Sequence, residues 1–205
     1  MDLDLETVDR LLTTTRAVRK RLDLTRAVPP EVITECVRLA TQAPSAADMQ
    51  NWRWVAVTEE RRRMAIGDIH RAGGDAVFVR GLLAKAVGAE RRRLESALYL
   101  TDHLHEAPVI MLVYALEPDG QQLPPPVLYG SVFPAMWSFQ LALRSRGLGS
   151  SPMWVENEQA VNEVVGAPAT ARAAAMLPVA YYTGETFKPA ARRPVDEVLS
   201  WDAWS

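Results

Sequence analysis

The segment Ala43-Pro44-Ser45-Ala46-Ala47-Asp48-Met49-Gln50-Asn51-Trp52-Arg53-Trp54 constrains this chain more than any other. Upstream of it, Val32, Ile33, Cys36, Val37 and Ala40 recur at helical spacing. Pro44 stops that helix, because the residue before a proline is pushed out of the helical region. Downstream, residues 52–58 alternate as a strand does. A helix, a run of small and polar residues and then a strand leave backbone amides and the Ser45 hydroxyl at a sheet edge. Such an edge suits an anionic or planar ligand better than it suits packing. An ordinary helix-to-strand turn is the alternative reading of the same residues.

The sheet that this edge belongs to is small. Residues 109–113 (Val-Ile-Met-Leu-Val) are apolar without alternation, as in a central strand covered on both faces. A further strand is expected over residues 173–183. Helical patterns cover residues 5–15, 30–43, 59–69, 91–105 and 157–165, with a looser helical insert over 75–89 after the Gly73-Gly74 break. Pro29-Pro30-Glu31 opens the second helix, since proline and an early acid are both tolerated in a first turn. Residues 119–126 form a polar, proline-rich loop. Residues 129–146 are apolar on nearly every face, which implies a helix buried in the core or in a subunit interface. Pro134 lies in its first turn or kinks it, and Gly147-Leu148-Gly149 caps its end. The tail, residues 187–205, carries Arg192, Arg193, Trp201 and Trp204 without enough chain to fold on itself. Helices separate the few strands, so the class is α+β or α/β with a small sheet.

Composition excludes several functions. A chain of 205 residues supports one well-packed core and a single domain, 1–205. With 23 basic and 25 acidic residues, nothing favours nucleic acid or an anionic membrane as partner. The one cysteine, Cys36, rules out an internal disulfide and sits in an apolar stripe, as an inert buried thiol does. The acidic start Met1-Asp2-Leu3-Asp4 is unlike a secretion signal, and no apolar run is long enough to span a bilayer. A cytoplasmic location is the expectation.

Four cations fall within six residues at Arg16-Ala17-Val18-Arg19-Lys20-Arg21. Guanidinium forks are well suited to a phosphate dianion; a solvated basic face is the alternative. Arg61-Arg62-Arg63 and Arg91-Arg92-Arg93 lie beside acids at expected helix starts and read as surface. Gly147-Leu148-Gly149-Ser150-Ser151 lacks the third glycine of a dinucleotide fingerprint and follows a helix rather than a strand. His103 and His105, two apart on an expected helix, point away from each other, so no metal site is expected. No serine-histidine-acid arrangement marks a hydrolase.

Taken in order, these segments resemble the FMN-dependent nitroreductase family from about Thr14 to Trp204. Arg16-Ala17-Val18-Arg19 is similar to the family's Arg-Ser-Val-Arg, which grips the FMN phosphate. Residues 43–53 are similar to Ala-Pro-Ser-Gly-Gly-Asn-x-Gln-Pro-Trp-Arg, which reaches the flavin of the partner subunit. Arg192-Arg193-Pro194 resembles the basic pair that closes the phosphate site. Pro152-Met153-Trp154 stands where family members pass backbone over the flavin ring.

The resemblance implies an α+β fold with a small mixed, mainly antiparallel sheet flanked by helices. It also implies an intertwined homodimer with two FMN sites, and a tail wrapped on the partner. On that basis Arg16, Ala17, Val18, Arg19, Arg192 and Arg193 belong to the phosphate end. Pro44, Ser45, Ala46, Asp48 and Gln50 come from the other subunit, and Pro152, Met153 and Trp154 face the ring. The implied reaction passes a hydride from NAD(P)H through flavin N5 to a nitroaromatic, quinone or activated alkene, with no obligate catalytic side chain. A flavin-dependent desaturase or oxidase using oxygen, and a flavin-storing protein with little reductase activity, are the alternatives. The chain departs from the pattern at Asp48, where asparagine is usual, at Ala17, Ala46 and Ala47, and at Asn51, where proline is common.

Overall fold

The computed structural model describes residues 4–117 and 121–204. Eight helices and four strands are found among them, with three short 3-10 turns. Two helices come first: α1 (Leu5–Thr14), N-capped by the Asp4 carboxylate, and α2 (Pro30–Ala40). Strand β1 (Trp52–Val57) follows, then α3 (Glu60–Ala72), α4 (Gly74–Leu83) and α5 (Gly88–Asp102). Strand β2 (Val109–Leu116) leads to α6 (Pro125–Gly130), α7 (Val132–Arg144) and the short β3 (Leu148–Ser150). The fold closes with α8 (Glu158–Val165) and β4 (Ala171–Tyr181).

All three strand pairings are antiparallel, in the order β1-β2-β4-β3. The parallel component expected from the resemblance is confined to one bridge, Ala17 to Ser150. The unbroken apolar run of β2 has a simple cause. Val109, Met111, Val113 and Ala115 pack in one core with α2, α6 and α7, while Ile110, Leu112 and Tyr114 pack in a second with α3 and α8. A third, smaller core joins Val18, Leu22, Leu100 and Ala180, with Met153 and Phe187 against it.

Several boundaries differ from expectation. Helix α7 ends at Arg144 with Ser145 as its C-cap, so the glycines do not cap it directly. Gly147, at φ +74, makes the turn that follows, and Leu148 and Gly149 belong to a strand, which three residues were too few to announce. The apolar stretch 129–146 is two helices broken at Ser131, and Pro134 sits in the first turn of the second. On α7, Val132, Ala135, Phe139 and Leu143 are buried, whereas Phe133 and Trp137 lie exposed one turn apart. Helix α5 ends at Asp102, so His103 precedes a 3-10 turn (Leu104–Glu106) and His105 lies within it, rather than both sharing one helix, and both approach Glu106. Of the loop expected over 119–126, residues 119 and 120 lie outside the described residues.

Candidate functional site

The N-terminal basic loop lies along the β3 edge of the sheet. The Val18 N–H donates to the Ser150 carbonyl at 2.9 Å. The approach is close: a Cβ on Gly149 would stand 2.8 Å from Val18 Cβ and Cγ2. Only the absence of a side chain at 149 lets the two backbones meet, so Gly149 serves packing.

Beyond Ser150 the chain keeps to the edge of β4. Met153 and Met176 exchange both backbone hydrogen bonds, at 2.8 and 3.0 Å, in continued register with β3. Between the two pairings stand Pro152 and Pro178, neither of which has an N–H to give. The ladder is therefore interrupted at Pro152 and resumes at Met153. The Met153 N–H, one of the groups expected to face the ring, is committed to the sheet. Trp154 is 63% exposed.

Several arginines elsewhere are paired: Arg38 with Glu35, Arg62 with Glu59, Arg71 with Asp68, Arg80 with Asp102 and Arg91 with Glu95. Arg63 donates to the carbonyls of Thr58, His105 and Ala107. In the two triple-arginine runs Arg62, Arg63 and Arg91 are engaged in this way, while Arg61, Arg92 and Arg93 are exposed. Among the described residues, Arg16 and Arg19 have no carboxylate partner. Arg16 Nη1 donates to the Lys188 carbonyl at 3.0 Å, and Arg19 is half-buried, with its pKa lowered by desolvation. A partly buried guanidinium without a counter-ion is costly and favours an incoming anion. Arg21 is structural: it donates to the Thr183 and Thr186 carbonyls and lies over the Phe187 ring.

Arg192 and Arg193 are exposed, and Arg192 donates only to the adjacent Ala191 carbonyl. The tail meets the basic loop at Lys188 instead, four residues earlier. Cys36 is fully buried, and desolvation pushes its thiol up to about 11, which keeps it protonated. Among the described residues there is no group of three or more potential metal ligands, and no helix is long and apolar enough to cross a membrane.

The second cluster, residues 44–50, is tightly built. Ser45 Oγ accepts from the Gln50 N–H at 2.8 Å, and Gln50 Nε2 donates to Asp48 at 2.7 Å. Ala46 N–H donates to the buried Ser131 hydroxyl at 3.0 Å, and Asn51 Nδ2 to the Leu128 carbonyl at 2.9 Å. Ala47, Asp48 and Gln50 have φ of 49°, 54° and 46°. Glycine and asparagine, the family residues at 47 and 48, tolerate that conformation best. Here alanine and aspartate carry the strain, and Ser131 and Asn51 hold the loop to α6 and α7. Neither anchor was legible beforehand, since each acts across a long sequence separation.

These two clusters are not brought together within the chain. The 44–50 loop enters the sheet at Trp52 on the β1 edge, and the basic loop meets Ser150 on the β3 edge. Trp52 and Ser150 occupy diagonally opposite corners, roughly 14 Å apart across the strands and roughly 20 Å along them by standard sheet spacings.

Residues 12–181 match the model of the Nitroreductase family. Sheet, helical layers and match together place the molecule in the class of flavin-dependent oxidoreductases. The chain belongs to the nitroreductase family. Among curated relatives, it is 28% identical over 155 residues to an iodotyrosine deiodinase of Thermotoga neapolitana, covering 75% of this chain and 77% of that one. It is 27% identical over 183 residues to an NADH dehydrogenase of Thermus thermophilus, covering 85% and 86%. Its fold is similar to that of a crystal structure of oxidised iodotyrosine deiodinase bound to FMN and 3-iodo-L-tyrosine. The TM-score is 0.72 at 23% identity, over 93% of this chain and 96% of that one.

Proposed function

We propose that two copies of this chain together bind FMN and transfer a hydride from NAD(P)H to an oxidised organic acceptor: a nitroaromatic, quinone or activated alkene. The observation that carries this reading is the basic loop: Arg16 and Arg19 lack carboxylate partners and are fixed beside Pro152-Met153-Trp154 by the Gly149–Val18 approach. Those residues fit a phosphate-bearing planar cofactor in charge and in backbone access. Bound FMN would supply the hydride chemistry itself.

The protein's part is to bind, orient and exclude water. Arg16 and Arg19 hold the phosphate, and Arg192 and Arg193 approach it through the tail that Arg16 anchors at Lys188. Pro152, free of ladder pairing, and the exposed Trp154 offer a surface to the ring. Asp48, Gln50 and Ser45 lead into the opposite edge strand from the one the basic loop meets, which supports a second copy supplying them. The same association covers Phe133, Trp137, Trp201 and Trp204, which one chain leaves exposed.

The test is anaerobic steady-state turnover with NADH and NADPH against menadione, a nitroaromatic and, because of the deiodinase likeness, an iodinated phenol. Flavin-dependent consumption of NAD(P)H with at least one acceptor is the expected result. A protein that takes up FMN but passes no electrons from either nicotinamide overturns it.

A further inference from the structure

The hairpin of α4 and α5 is attached to the site segments at both of its ends. At the far end, Leu100 of α5 is buried against Val18 of the basic loop, with Met153 packed on the same cluster. At the near end, the Glu156 carboxylate accepts from the Gly74 N–H at 3.0 Å through Oε1 and from the Asp75 N–H at 3.2 Å through Oε2. Glu156 lies two residues beyond Trp154. Its carboxylate occupies the space that a Cβ on Gly73 would fill, and a Cβ on Gly74 would come within 2.8 Å of Oε1. Helix α4 has no N-cap side chain of its own. Residues 152–156 therefore supply from outside the anion that the first turn of α4 needs.

We propose that Glu156 is a positioning residue for the acceptor half of the reaction: it clasps the α4–α5 hairpin to the ring-facing segment and so fixes the hairpin over the acceptor site. This rests on the flavin reading of residues 152–154. Glu156 touches neither phosphate nor ring in that reading, so it governs how tightly the acceptor is held and not whether FMN binds. Gly73 is required on the other side of the clasp for the carboxylate to reach the two amides.

Hydrogen exchange of residues 73–83 and steady-state kinetics with menadione test this in wild type, Glu156→Ala, Glu156→Gln and Gly73→Ala. Glu156→Ala and Gly73→Ala are expected to lose roughly tenfold or more in protection of the first turn of α4, the scale of a lost cap. KM for menadione rises by a similar factor, kcat stays within about twofold and FMN occupancy is unchanged. Glu156→Gln, which keeps one acceptor oxygen, falls between. Lost protection with unchanged KM overturns the acceptor role, and retained protection overturns the clasp. A wild-type protein that binds no FMN overturns the proposed function first and the acceptor role with it. That outcome is distinguishable, because the exchange data need no flavin.

Discussion

Gly149→Ala tests the link between local packing and the cofactor site. The added Cβ would meet Val18 at Cβ and Cγ2, both at 2.8 Å, and at Cγ1, at 3.2 Å. Val18 Cβ is fixed to its backbone and Val18 is buried, so no rotamer change relieves the contact. The basic loop has to move away, weakening the 2.9 Å bond from Val18 N–H to the Ser150 carbonyl. Overpacking of this kind costs about 1–3 kcal/mol, and the lost hydrogen bond about 1 kcal/mol more. For a chain of this size a loss of ~2–4 kcal/mol lowers Tm by roughly 5–15 °C. Displacing Arg16 and Arg19 by even one charge-assisted hydrogen bond costs about 1.5–3 kcal/mol of binding, or roughly 10- to 100-fold in the FMN Kd. Thermal denaturation and quenching of flavin fluorescence on titration read the two effects. Gly147→Ala is the control. At φ +74 with no atom within 4 Å, it should cost only the left-handed penalty of about 1 kcal/mol and leave Kd unchanged. If Gly149→Ala kept both Tm and Kd at wild-type values, the close approach would not be what holds the loop.

Three further outcomes are expected. Ala47→Gly relieves left-handed strain at φ 49° and should raise the unfolding free energy from urea titration slightly, by up to about 1 kcal/mol after the entropic cost of glycine; a loss of stability would show that the loop is unstrained. His70 is half-buried, and desolvation, outweighing the nearby Asp75 and Glu156 charges, lowers its pKa below 6.5. The unfolded chain therefore binds the extra proton first. Stability should be full above pH 6.5 and fall as pH drops through 6.5 towards the lowered folded value, a slope that His70→Gln abolishes in urea titrations at pH 7.5 and 5.5. Asp48→Asn keeps the oxygen that accepts from Gln50 but removes a charge. A unit charge held ~10 Å from a bound flavin ring would be worth about 1–2 kcal/mol, so spectroelectrochemistry of the FMN-loaded protein should show the flavin potential rising by roughly 20–40 mV for a two-electron couple. No change would place Asp48 away from the ring.

Much of this was legible in the residues because it was local. The proline-opened first turn of α2, the doubly buried run of β2 and the left-handed turn at Gly147 each follow from short-range sterics or from a covered strand. The acids beside the arginine runs at 61–63 and 91–93 were also legible, and two of them, Glu59 and Glu95, pair with Arg62 and Arg91. What escaped detection depends on distant partners. β3 is three residues long and exists because Tyr181 and Val179 pair with it. Ser131 and Asn51 act across 85 and 77 residues, and Glu156 across 82. The placement of the two site clusters at opposite corners of the sheet is a property of strand order, which no motif reveals. The motif resemblance proposes residues for the site but says nothing of which of their groups is spent on the sheet, as the Met153 N–H is.

Native mass spectrometry of the protein reconstituted with FMN addresses the shared site most directly. Two chains with two FMN molecules are expected, together with loss of both flavins when Arg16 and Arg192 are changed to alanine and retention of the dimer. A single chain that holds FMN fully on its own would contradict a site assembled from opposite corners of two sheets.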